Sequence, residues 1–145
     1  MMIRAIAAAV VGLSVLFGSP LAAQQTVSRG TNLSADAARD GRIAIDLAGD
    51  IWIVPPRGGR AKRLTPNLKS AQRPRWSPDA SEIAYQATSQ GSQGIWIYSF
   101  DSGESRHVGR GSSFDMHPAW HPDGERLVYA SDAAGTGLDL WEVDL

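Results

Sequence analysis

The residues best suited to chemistry gather in DMHPAWHPD, Asp115 to Asp123, where His117 and His121 stand four apart with a carboxylate at either end. Imidazole and carboxylate are ordinary ligands for divalent metals, and even spacing along a strand turns two side chains to one face. Pro118 and Pro122 interrupt such a strand, however, and the stretch is a near copy of an earlier one. PRWSPDASEIAYQ, Pro74 to Gln86, is matched by PAWHPDGERLVYA, Pro118 to Ala130, which aligns His117 with Arg73 and His121 with Ser77. Neither position is a metal-ligand type in the earlier copy, so the pair reads as loop variation without a metal. His107 falls in an expected outer strand and is read as exposed. A serine nucleophile calls for a G-x-S-x-G elbow between a strand and a helix. GRGSSFD (Gly109 to Asp115) and SQGSQG (Ser89 to Gly94) lack that form, and GRGSS also lacks the spacing and lysine of a phosphate loop. RGGRAKR, Arg57 to Arg63, has the composition of an arginine-glycine nucleic-acid segment but reads better as a solvated hairpin tip. No catalytic, metal or cofactor-binding residue is expected within the chain.

What positions these residues is a repeat. Trp76 and Trp120, Pro78 and Pro122, Asp79 and Asp123, and Tyr85 and Tyr129 all lie 44 residues apart. Trp52, Trp96 and Trp141 carry the interval through a third unit. A period of about 40 to 45 residues is the size of one propeller blade, a short antiparallel meander that buries its faces only by stacking on neighbours. RIAIDL and DIWIVP, separated by Ala48 and Gly49, predict a β-hairpin, and AKRLT a further short strand. EIAYQA, IWIYSF and SRHVG follow in the second unit, with TSQGSQG as a Gly/Ser-rich loop, and RLVYAS and LDLWEVDL in the third, joined by DAAGTG. At the repeated turn Pro78 and Pro122 preset φ, Asp79 and Asp123 can bond the next amides, and Gly124 tolerates positive φ. The five tryptophans could be read as a stacking surface for sugars or bases, but their register with the repeat favours packing between blades.

Composition is that of an ordinary loop-rich globular chain: 145 residues, 43% hydrophobic, 15 Gly, 8 Pro and a net charge of -1. Neither nucleic acid nor an anionic membrane is implied by that balance. The absence of cysteine excludes disulfides, thiolate metal sites and a cysteine nucleophile. Arg4, an apolar run from Ala5 to Phe17, a Gly-Ser-Pro break and small residues at Ala22 and Ala23 form the layout of a secretory signal peptide over residues 1–23. The run is shorter than the roughly 20 residues of a permanent span, so no stable membrane anchor is expected after cleavage. Residues 24–40 read as a polar, flexible entry segment with room for one partial strand. Residues 41–145 carry the repeats, with blades at about 41–66, 67–110 and 111–145.

WSPDASEIAY and WHPDGERLVY, each followed by IWIY or LWEV, resemble the β-propeller repeat of the TolB family. GRIAIDLAGDIWIVPPRGGRAKRLT resembles the opening blade of such propellers, including those in front of the catalytic domain of large exported amidohydrolases and peptidases. The resemblance covers Gly41 to Leu145 and implies an all-β, incomplete propeller: two nearly complete four-stranded blades and one truncated one. It departs from TolB in having no room for a preceding α/β domain and in replacing the first PxWSPDG by SADAARDG, Ser34 to Gly41. It also implies a periplasmic, non-catalytic scaffold whose partner is an envelope protein, in TolB itself the peptidoglycan-associated lipoprotein, or else the remainder of a longer chain. The alternative is the N-terminal propeller fragment of an exported amidohydrolase or peptidase with its catalytic domain beyond residue 145. The loops Ser89 to Gly94 and Asp132 to Gly137 are the expected contact regions.

Overall fold

The computed structural model describes residues 33–66, 69–89, 91–109 and 113–145. The signal-peptide reading and most of the entry segment lie outside the described residues. Eleven strands make three antiparallel sheets, and no helix occurs among the described residues. The first sheet runs β1 (Ala35–Ala37), β2 (Ile43–Leu47), β3 (Asp50–Val54) and β4 (Lys62–Arg63), each strand beside its sequence neighbour. The second repeats the meander with β5 (Lys69–Trp76), β6 (Glu82–Ser89), β7 (Ser92–Ser99) and β8 (Ser105–Val108). The third has β9 (Asp115–Trp120), β10 (Arg126–Ser131) and β11 (Asp139–Asp144).

Local chemistry explains the meander. Ala48 and Gly49 take φ of 55° and 83°, the left-handed pair that a two-residue hairpin turn demands, and Leu47 faces Asp50 across it. The register then repeats: Ile45 opposes Trp52, Tyr85 opposes Trp96 and Tyr129 opposes Trp141. Burial follows the stacking. β2 and β10 alternate buried and partly exposed residues, whereas β6 is buried on both sides because its sheet lies between the other two.

Two cores result, one at each seam between sheets. Ala44, Ile51 and Ile53 of the first sheet meet Trp76, Ile83, Tyr85 and Ala87 of the second. The opposite face of the second sheet, Ala84, Ile95 and Ile97, meets Leu127 and Tyr129 of the third, with Trp120, Trp141 and Val143 packed at the margin. Burying one such aliphatic side chain is worth about 1.5–3 kcal/mol, so each seam is the main stabilising contact of the sheets it joins.

Three details differ from the sequence reading. The first sheet reaches back across residue 41, because Ala35 to Ala37 pair with Ile45 to Ile43. TSQGSQG is not an open loop, since Thr88 pairs with Gln93 and Ser89 with Ser92. Ladder bonds are available to Ser and Gln backbones as to any others, and the Gln93 side chain reaches the Asp115 carbonyl of the next sheet at 3.5 Å. AKRLT contributes a two-residue strand, since Leu64 and Thr65 turn inward, the Leu64 amide donating to the Ile51 carbonyl and the Thr65 hydroxyl oxygen accepting the Ile51 amide.

Candidate functional site

Each sheet carries the same tight turn after its first strand. The amides of Gly41, Ala80 and Gly124 donate to the carbonyls of Ala38, Ser77 and His121, and all three donors sit at positive φ, 86°, 65° and 77°. In each turn an aspartate Oδ1 accepts the amide two residues on: Asp40 from Arg42, Asp79 from Ser81 and Asp123 from Glu125. The Ser77 hydroxyl, then the Ser81 amide and hydroxyl, hold the Asp79 carboxyl down at about 2. The Glu125 amide, with Arg126 and His121, does the same for Asp123, also to about 2. Asp40 is thus the third member of the series, inside the SADAARDG stretch that lacks the repeated phrase. A carboxylate two residues before the strand-leading Arg42 was its signal in the sequence.

Between sheets runs a second series. The indole N–H of Trp76 donates to the Asp36 carbonyl at 3.2 Å, and that of Trp120 to the Arg75 carbonyl at 2.9 Å. Asp46, buried on β2, accepts the Ser34 amide at 2.8 Å through Oδ1 and the Arg73 amide of the next sheet at 2.9 Å through Oδ2. Gln86 stands at the same register on β6, and its Oε1 accepts the amide of His117 at 3.1 Å. Arg73 and His117 both hold left-handed backbones, φ 53° and 57°, at matching bulges of β5 and β9. Arg42 closes the base of the first seam: its guanidinium lies 4.5 Å from the Trp76 and Phe100 ring centroids and donates to the Ala80 carbonyl at 2.6 Å. Asp46, Gln86 and Arg42 went unnoticed in the sequence, although a lone acid inside IAIDL is a signal for a buried acceptor.

Trp76, Tyr85 and Tyr129 are buried; Trp52, Trp96, Trp120 and Trp141 are partly exposed along the sheets; Pro78 and Pro122 sit on exposed turn tips. Burial pushes the Tyr85 phenol up to about 12, with its hydroxyl donating to Ser105 Oγ at 2.7 Å. His121 pairs with Asp123 at 2.8 Å and lies beside Arg126, whereas His117 is on β9 with its ring exposed, so the two imidazoles have different neighbours. His107 is exposed on β8, edge-on to Trp96. No group of three His, Asp or Glu gathers among the described residues. Of the two expected contact loops, Asp132 to Gly137 is an exposed loop, while most of Ser89 to Gly94 is strand.

What this arrangement does chemically is to join stacked sheets. The chain is similar to parts of several known proteins. Tricorn protease homolog 1 of Streptomyces coelicolor is 27% identical over 66 residues, 46% of this chain and 6% of that protein. A TolB homolog of Protochlamydia amoebophila is 33% identical over 52 residues, 36% of this chain and 11% of that one. The chain therefore matches only a small part of either relative's length. The solved structure of a TolB from Agrobacterium tumefaciens superposes with a TM-score of 0.67 at 25% identity, over 74% of this chain and 40% of that one. The N-terminal β-propeller domain of Tricorn protease matches as a family over residues 33–145, the span of all three sheets. With its repeated turns, seam clasps and partial ring of sheets, the chain belongs to the Tricorn protease N-terminal β-propeller domain family.

Proposed function

We propose that the chain is an exported, non-catalytic binding scaffold of the bacterial envelope, in which stacked blades present loops and strand edges to a protein partner or ligand. The observation that carries this reading is the use made of the polar side chains. The residues that recur at repeat positions, Asp40, Asp79, Asp123, Asp46 and Gln86, all bond backbone amides within or between sheets. Export rests on the Arg4 to Ala23 pattern. The test is to express the full chain with a C-terminal tag in a Gram-negative host and take intact masses from the osmotic-shock fraction. Loss of residues 1–23 in that fraction supports the reading; full-length chain confined to the cytoplasm overturns it.

A second reading makes the chain the front propeller of a larger exported amidohydrolase or peptidase. It is favoured by the family match, which is to a protease propeller, and by the Streptomyces relative. Sequencing the locus past the codon for Leu145 separates the two. An in-frame hydrolase domain selects the second reading, and its absence selects the first.

A further inference from the structure

We propose that the outer seam between the first two sheets is a docking groove for an extended acidic peptide, which adds as a strand to the free edge of β4. The inference goes beyond the scaffold reading, since it holds whether the chain acts alone or in front of an enzyme. The groove encloses about 510 Å³. One wall is β4, Lys62 and Arg63; the floor is Trp96 and Tyr98, alternate residues on one face of β7; Glu104 and Ser105 form the far wall.

Three features fit such an occupant. The first is backbone geometry: Lys62 pairs with Ile53 and the Leu64 amide donates to the Ile51 carbonyl, so the N–H and C=O of the intervening Arg63 turn away from β3. A strand laid along that edge takes up both groups. The second is the floor, where the half-exposed rings of Trp96 and Tyr98 offer an apolar surface to alternate side chains of a bound strand. The third is charge. Lys62 on the edge and Arg60 two residues before it are exposed and without an ion-pair partner among the described residues, and Arg63 is held by Asp50 at 2.7 Å. Glu104, the one acid on the walls, lies on the far side, so the β4 side of the groove is the one that favours anions. A short lysine-bearing edge is also how sheets avoid aggregation, but that leaves the aromatic floor unexplained.

The test titrates the full chain, labelled with ¹⁵N, with an acetylated and amidated Glu-Val-Glu-Tyr-Glu-Val-Glu peptide at about 150 mM salt. Its Lys-for-Glu counterpart and a form N-methylated at alternate residues serve as comparators. The proposal expects amide shifts at Lys62 to Thr65 and at the Trp96 indole, with binding weakened about tenfold or more by either comparator. Arg60→Glu with Lys62→Glu is expected to weaken the parent peptide by about tenfold while the urea midpoint stays unchanged, both side chains being exposed. No shifts at millimolar peptide, equal affinity for the lysine peptide, or unchanged binding of the N-methylated form each overturn it. So does occupation of the groove by dextran sulfate with no binding of the peptide, which would point to an anionic polysaccharide.

Discussion

Asp46 is a buried carboxylate whose two oxygens hold amides on two different sheets, Ser34 and Arg73. Asp46→Ala leaves both donors unpaired and is expected to lower unfolding free energy by about 2–4 kcal/mol in urea titration. Asp46→Asn, which keeps one carbonyl acceptor, should lose less. The turn aspartates make a pH prediction. Asp79 and Asp123 titrate near 2 in the folded chain against 3.8 ordinarily, so the stability they confer is complete above pH 4 and fades as pH falls towards 2. Thermal midpoints measured from pH 6 to 2 should fall along that limb, and Asp79→Asn should flatten it. Asp79 and Asp123 were legible because SPD and HPD spell their turn chemistry. Asp40 was not, because its turn is built on ARDG without the proline.

Strands in this chain are defined by which of their faces find a neighbour. Ile51, Ile95 and Leu140 share one repeat position, the residue before the blade tryptophan, yet the first two are fully buried and Leu140 is 82% exposed. Ile51→Ala and Ile95→Ala should each cost about 2–5 kcal/mol, whereas Leu140→Ala should stay within about 0.5 kcal/mol by the same urea assay. Period-2 patterning and the register of the tryptophans made β2, β3, β6, β7, β10 and β11 readable. β1 was obscured because ADA has no β-branched or aromatic residue, and its strand exists through pairing with β2. The inter-sheet acceptors at residues 46 and 86 escaped for a related reason: partners 27 and 31 residues away leave no local pattern.

At the scale of the whole molecule, two seams are filled and the last sheet keeps one face uncovered, with Leu138 and Leu140 exposed at 53% and 82%. Exposed apolar residues beside an unpaired edge strand promote association. Sedimentation velocity of the isolated chain should show weight-average mass rising with concentration, and Leu140→Glu should suppress the rise. The seam clasps also have a direction. The amides of Arg73 and His117 and the indoles of Trp76 and Trp120 all donate from a later sheet to an acceptor in the one before it, although Arg42 and Gln93 donate the other way. A chain made amino end first therefore displays each of these waiting acceptors before its donor has emerged. Each blade then offers its successor a surface whose acceptors are already in place, which favours assembly one unit at a time.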